Sequence, residues 1–229
     1  MLRASFPPRL PCGRAPFVSQ LMNEHPTWLS ARVTGVILAG GRNSRMGGRD
    51  KAFLRVGGET VFARTLAVLR RCFPHVLVVS NAPEKYEDYA VDVTRDELLG
   101  LGPLGGLHAA LGRVPTPYAF VTACDMPFLR EETIRYLVSR LAGQDAIVPE
   151  WEGDIEPLLA IYSTGLRPRI AAAAAAGVSA LRDFLRRVEV EYVPHAAMAR
   201  VAGAEESFRN VNTPEDAARF AVQVGGEPA

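Results

Sequence analysis

Cysteine is scarce in this chain: only Cys12, Cys72 and Cys124 occur among 229 residues, far apart and odd in number. That excludes a disulfide framework and a cysteine-based zinc site, and it points to a reducing, cytoplasmic setting. Charge of one sign is also lacking. The formal net charge is +1, without the basic excess of a dedicated nucleic-acid binder. No apolar run approaches the ~20 residues that a membrane span requires. Two familiar phosphate loops are missing as well. A Walker loop needs Gly-Lys-Ser/Thr, but Lys51 lies between Asp50 and Ala52. The dinucleotide fingerprint Gly-x-Gly-x-x-Gly fails because Gly40-Gly41 is followed by five residues without glycine. His25, His75, His108 and His195 show no metal-ligand spacing, and no Ser-His-Asp pattern stands out.

What is present is the composition of one α/β domain, 48% hydrophobic and 22% charged. Residues 1–32 differ from the rest. Pro7, Pro8, Pro11, Pro16 and Pro26 punctuate them, and Arg3, Arg9 and Arg14 precede the first acid, Glu24. Prolines and arginines interrupt every candidate for the ~7-residue apolar core of a signal peptide. The segment reads either as a disordered extension, with too little apolar surface to offset chain entropy, or as the result of a start assigned too early, with Met22 as the alternative. Both readings leave residues 33–229 as the functional domain.

That domain is organised around Val36-Ile-Leu-Ala-Gly-Gly-Arg-Asn-Ser-Arg-Met-Gly-Gly-Arg-Asp-Lys51. Val36, Ile37 and Leu38 form an apolar run suited to a buried parallel strand. Ala39, Gly40 and Gly41 then remove side chains where the run ends, so backbone N–H groups can approach an anion. Arg42, Arg45, Arg49 and Lys51 follow. Cations on a glycine-rich loop after a buried strand indicate a polyphosphate ligand, with Arg45 and Lys51 the strongest candidates.

Strand-like and helix-like stretches then alternate. Phe53–Val56, Val76–Val79, Asp92–Asp96, Tyr118–Asp125, Ala146–Pro149, Pro157–Tyr162 and Val188–Val193 read as strands. Thr60–Cys72, Leu107–Gly112, Arg130–Leu141 and the alanine run Ala171–Ala176 read as helices. Gly100–Gly106 reads as a second glycine-rich loop, and Thr213-Pro214-Glu215 as the start of a last helix. The alternation over ~190 residues predicts one doubly wound, mostly parallel, Rossmann-like sheet with helices on both faces. Ligands bind such sheets beyond the carboxyl ends of the strands. Leu38–Gly41, Asn81, Asp96 and Asp125 are therefore expected to share one crevice. Asp125, closing an apolar strand before Met126-Pro127, is the candidate Mg²⁺ ligand, because magnesium is held by one or two carboxylates plus phosphate oxygens and water. Asn81 and Asp96 read equally as turn residues or as contacts to a base or ribose. A carboxylate at position 96 suits the N–H edge of guanine.

The full pattern Leu-Ala-Gly-Gly-x-x-x-Arg-Met-Gly-Gly-x-Asp-Lys resembles the signature of the molybdenum cofactor guanylyltransferases, within the nucleotidyltransferase group. Gly102-Pro-Leu-Gly-Gly106, Cys124-Asp-Met-Pro127, Glu156-Pro-Leu158 and Asn210-Val-Asn-Thr-Pro-Glu-Asp216 resemble further family segments, so the likeness spans residues ~33 to ~222. The resemblance implies a nucleotide-diphospho-sugar-transferase-like fold and transfer of GMP from GTP to the phosphate of Mo-molybdopterin, releasing pyrophosphate. It further implies nucleotide contacts from Leu38, Ala39, Gly40, Gly41, Lys51, Asn81 and Asp96, with Ser80 as the alternative to Asn81. It places Mg²⁺ at Asp125, and Glu156, Asn210 and Asn212 on the acceptor side. Molybdoenzymes or other cofactor-biosynthesis proteins would be the macromolecular partners, with neither nucleic acid nor membrane involved. A cytidylyltransferase for the same cofactor, a sugar-nucleotide pyrophosphorylase and a non-catalytic nucleotide-binding accessory protein are the alternatives.

Overall fold

The computed structural model describes residues 31–39, 51–56, 58–211, 213, 215, 216 and 218, with the side chain of Lys51 outside that set. The extension expected over residues 1–32 lies outside the described residues except for Ala31 and Arg32. Among the described residues no helix is long and apolar enough to cross a membrane.

The centre of the fold is β1 (Val33–Leu38), buried along its whole length. It pairs in parallel with β4 (Val76–Val79) on one side and β6 (Tyr118–Ala123) on the other, and β5 (Asp92–Thr94) extends the sheet beyond β4. Beyond β6 come β9 (Leu159–Ser163), β7 (Ala146–Trp151) and β10 (Val190–Val193), giving the order β10-β7-β9-β6-β1-β4-β5. Along β1, Val33 and Ile37 contribute to one core layer while Val36 and Leu38 contribute to the other, the two-residue period of a strand buried on both faces. Helices α1 (Val61–Cys72) and α3 (Glu131–Ser139) supply Phe62, Leu66, Leu69, Ile134 and Leu137 to the first layer. Helices α2 (Pro103–Leu111), α4 (Leu166–Ala175) and α5 (Leu181–Leu185) supply Leu104, Leu107, Ile170 and Phe184 to the second. The doubly wound, mostly parallel sheet is therefore as the sequence predicts.

One strand of the main path runs against the others: β9 is antiparallel to both β6 and β7. The seven residues between Trp151 and Leu159 are too few for a parallel crossover, which takes a dozen or more. They hold instead a hairpin from β7 to β8 (Asp154–Ile155), whose turn places Glu152 at φ +50° and Gly153 at φ +86°.

Two local expectations are corrected. Phe53–Val56 is not a strand of the main sheet. Lys51–Phe53 forms one 3-10 turn, and β2 (Arg55–Val56) folds back on β3 (Glu59–Thr60) as a separate ribbon through Gly58 at φ +83°. Phe53, half-buried, packs against Phe62 and Tyr86, and this ring packing overrides an extended conformation. Nor does the second glycine-rich segment run as a loop to Gly106. Helix α2 starts at Pro103, with Gly102 as its N-cap at φ +54°. Proline at the first helical position has the right φ and gives up an N–H that would be unpaired there anyway.

Two other helix starts follow their sequence signals, whereas the helix expected over Ala171–Ala176 begins earlier, at Leu166. Thr60 Oγ1 accepts from the Ala63 N–H at 3.2 Å at the head of α1. Thr213 Oγ1 accepts from the Asp216 N–H while Asp216 Oδ2 accepts from the Thr213 N–H, both at 3.0 Å, a reciprocal cap of the last predicted helix.

Candidate active site

The carboxyl ends of β1, β4, β5 and β6 define the crevice. Between β5 and β6 the chain crosses from one side of β1 to the other, so the topological switch point of the sheet lies at β1 and β6. Ala39 leaves β1 buried, its N–H donated to the Val79 carbonyl at 2.9 Å, while the Leu38 carbonyl accepts from the Cys124 N–H at 3.3 Å. The head of the glycine-rich loop is thus tied to β4 on one side and to the segment holding Asp125 on the other. Gly40, Gly41 and Arg45 lie outside the described residues. The loop returns at Lys51, where fully buried Ala52 and the Phe53 ring fix the chain beside α1.

On the β4–β5 side the structure joins Asn81 to Asp96. Asn81 Oδ1 accepts from the Asp96 N–H at 3.1 Å, and the Asn81 carbonyl accepts from Arg95 Nη1 at 3.2 Å. Ser80 is buried, with its hydroxyl accepting from the Ala82 N–H at 3.2 Å, so Asn81 is the exposed member of the pair. Asp96 turns its carboxylate towards the first turn of α2. Oδ1 accepts from the Leu98 N–H at 3.0 Å, and a Cβ placed on Gly105 would stand 2.8 Å from each carboxylate oxygen. Burial raises the Asp96 pKa above its ordinary value despite the Leu98 N–H and the nearby His108. Deeper in α2, buried His108 is held below the usual imidazole range by desolvation and then by the Arg167 charge, with Glu97 Oε2 3.5 Å from its Nδ1. Asp96 is therefore both a turn residue and a carboxylate kept near the ligand end of the sheet.

On the β6 side Asp125, Glu156 and Asn210 come together. The Asp125 carbonyl accepts from the Val211 N–H at 2.8 Å, which pins the Asn210 segment beside it. Met126 is buried, and its carbonyl accepts from Thr65 Oγ1 at 3.3 Å. Glu156 follows the β8 hairpin. Its N–H donates to the Pro149 carbonyl at 2.9 Å, and its Oε1 accepts from the Leu158 N–H at 3.2 Å. Burial raises the Glu156 pKa first, and the negative charge of Asp125 raises it further, against the Leu158 N–H and the Arg182 charge. Asn210 Oδ1 is buried with no hydrogen-bond partner, an exception to the usual pairing of buried polar groups. Asn212 lies outside the described residues.

Sequence reasoning missed two features. Arg182 of α5 grips Asp154 through two nitrogens, with Nη2 also donating to the Ile155 carbonyl at 2.7 Å. Its positive charge is felt at Glu156. A lone arginine in a short helix carries no pattern that would have singled it out. Trp151 and Phe208, far apart in the chain, stack with centroids 4.5 Å apart and ring planes 5° from parallel. Only the Glu152-Gly153 turn after Trp151 hinted that this ring stands at a hairpin tip.

The Asp125 carboxylate, whose charge raises the proton affinity of Glu156, suits a cation bridging to phosphate, with the Asn210 segment pinned beside its main chain. Among the described residues no group of three or more His, Cys, Asp or Glu side chains could hold a metal by itself. This site would therefore need oxygen atoms from a bound substrate to complete a coordination shell.

The chain is similar in sequence and fold to known proteins. The model of the MobA-like NTP transferase domain matches residues 35–193, from within β1 to the end of β10. A relative from Pelotomaculum thermopropionicum, described as "Probable molybdenum cofactor guanylyltransferase", is 39% identical over 185 residues, covering 81% of this chain and 90% of its own length. The molybdenum cofactor guanylyltransferase of Syntrophotalea carbinolica is 35% identical, covering 80% and 88%. Among solved structures, molybdopterin-guanine dinucleotide biosynthesis protein A from Archaeoglobus fulgidus superposes with a TM-score of 0.72 at 27% identity, covering 84% of this chain and 98% of its own. The fold is that of the nucleotide-diphospho-sugar transferases, and the chain belongs to the MobA-like NTP transferase family, as a nucleotidyltransferase of its molybdenum cofactor guanylyltransferase branch.

Proposed function

We propose that this enzyme transfers GMP from GTP to the terminal phosphate of Mo-molybdopterin, forming the guanine dinucleotide cofactor and pyrophosphate. The observation that carries the reading is the division of the crevice. Asn81 and Asp96 stand on the β4–β5 side of the carboxyl end of β1, and Asp125, Glu156 and Asn210 stand on its β6 side. A nucleoside on the first side and an acceptor on the second would meet over the loop that carries the phosphate-binding cations.

In this reading Leu38, Ala39, Gly40 and Gly41 line the nucleotide with main chain, and Lys51 and Arg45 hold the triphosphate. Asn81 and Asp96 face the nucleoside. Asp125, with Glu156 beside it, would hold Mg²⁺, which supplies charge neutralisation at the phosphates when bound. Glu156, Asn210 and Asn212 orient the acceptor. The acceptor phosphate is anionic at neutral pH, so its oxygen attacks the α-phosphorus in line without a general base. The bond to the β-phosphate breaks, and the electron pair leaves with pyrophosphate. The protein contributes positioning and preorganised charge.

Base choice is assigned to Asp96. Hydrogen bonds from guanine N–H groups to a carboxylate are worth roughly 1.5–3 kcal/mol each, and each ~1.4 kcal/mol is a factor of ten. Asp96→Ala is expected to lower the kcat/KM preference for GTP over ATP and CTP by at least about ten-fold. Lys51→Ala should instead weaken all three nucleotides alike. An equal loss for all three triphosphates in Asp96→Ala would make Asp96 a turn residue only. The reaction class is tested with GTP labelled at the α-phosphate, with and without Mo-molybdopterin. Label should enter a dinucleotide only when the acceptor is present. Retained GTP binding without transfer would instead make the chain an accessory protein.

A further inference from the structure

The segment carrying Asn210 is held at both of its ends. On one side the Phe208 ring stacks on Trp151, the last residue of β7. On the other side Val211 is fully buried against Val56 and Val61, and its N–H is donated to the Asp125 carbonyl at 2.8 Å. Between these two anchors lies Asn210, with its amide oxygen buried and without a partner. A buried acceptor left unpaired is unfavourable in the free protein, so a chain able to rotate Asn210 outwards would do so. The two anchors oppose that rotation.

Trp151 is itself held rigidly. Its backbone pairs with Asp154 across the hairpin turn, and Asp154 is gripped by Arg182. The His195 ring packs at 4.4 Å from the Trp151 ring, and the Glu152 N–H points at His195 Nδ1, 3.4 Å away. Ahead of Phe208, Ser207 accepts from the Arg130 N–H at 3.0 Å and donates to Thr133 Oγ1 at 2.9 Å, which fixes the short helix α6 (Ala204–Ser207) against α3. The stack therefore joins two independently anchored elements, the β7–β8 hairpin that leads to Glu156 and the turn that carries Asn210.

We propose that the Trp151–Phe208 stack is a positioning clamp for the acceptor site, holding the Asn210 segment against the Asp125 main chain so that Asn210 stays on the acceptor side. Trp151 and Phe208 act through Asn210 and are positioning residues. The clamp rests on the reading of the β6 side as the acceptor side.

The test uses the full chain with GTP, Mg²⁺ and Mo-molybdopterin. Trp151→Ala is expected to raise the acceptor KM by about ten-fold or more while the GTP KM stays within about two-fold. Trp151→Phe, which keeps a stacking ring, should bring the acceptor KM back to within about three-fold of wild type. Asn210→Ala should share the acceptor defect, and Trp151→Ala should add little to it, as expected of residues acting through one another. An unchanged acceptor KM in Trp151→Ala would overturn the clamp, as would a GTP KM that rises in proportion. If Trp151→Ala does not fold, Phe208→Leu carries the same comparison. A wild-type chain that transfers nothing to Mo-molybdopterin would count against the functional reading alone. The clamp is then decided by amide exchange. Faster exchange confined to residues 208–211 in the variant supports it, and unchanged exchange there overturns it.

Discussion

Asp125→Ala is expected to lower kcat by on the order of a hundred-fold or more at limiting Mg²⁺, while Tm stays within a few degrees of wild type. The size follows from the several kcal/mol that a bound cation contributes to developing phosphate charge, at ~1.4 kcal/mol per factor of ten. The contact that Asp125 supplies to Val211 comes from its main-chain carbonyl, which alanine retains. Removing the carboxylate also removes one of the charges that hold the Glu156 pKa up. Glu156 in the variant should therefore ionise at lower pH than in wild type. Asn at position 125 keeps an oxygen and loses the charge, so its defect should lie between wild type and alanine. Turnover of Asp125→Ala close to wild type at limiting Mg²⁺ would remove Asp125 from the metal site.

Gly105→Ala should be the most damaging single change on the nucleotide side. A Cβ at Gly105 would lie 2.5 Å from the Leu98 carbonyl oxygen and 2.8 Å from both Asp96 carboxylate oxygens. A main-chain carbonyl cannot yield as the end of a side chain can, so the 96–98 turn must move. Overpacking of this kind costs about 1–3 kcal/mol, and here the strain falls on the carboxylate assigned to guanine. The expected result is a lower Tm together with a reduced preference for GTP. The neighbouring glycine is the control. A Cβ on Gly106 would meet the Leu38 side chain at 3.4 Å, an ordinary contact, and alanine in a helix is favoured over glycine by about 0.8–1.0 kcal/mol. Gly106→Ala should leave activity in place and hold or raise Tm. Equal tolerance of the two substitutions would refute the close packing of Asp96 against α2.

The contrast between these glycines shows what could be read in the sequence and what could not. Gly102-Pro-Leu-Gly-Gly106 was recognisable as a glycine-rich element at a strand's carboxyl end. That it is mostly helix, with Gly105 emptied for a carboxylate nine residues earlier, depends on tertiary packing that no local pattern records. The sheet was legible because Val36–Leu38, Val76–Val79 and Tyr118–Ala123 are apolar runs of strand length buried on both faces. The reversed direction of β9 was implicit in its short connection to β7. Asp125 was readable from its place after such a run. Glu156 and Asn210 entered only through family resemblance, because their approach to Asp125 joins segments more than thirty and eighty residues away along the chain. Beyond the Glu152-Gly153 turn nothing marked Trp151 and Phe208 as a pair, since stacking partners separated by three strands and four helices leave no periodicity.

The claim that this chain builds a guanine dinucleotide on Mo-molybdopterin is tested most directly by kcat/KM for GTP, ATP and CTP, measured with purified Mo-molybdopterin and Mg²⁺ and with the product identified by mass. The account predicts that GTP is strongly preferred, with one guanine dinucleotide cofactor and one pyrophosphate formed per turnover. Preference for CTP, or transfer to a sugar phosphate in place of Mo-molybdopterin, would contradict it.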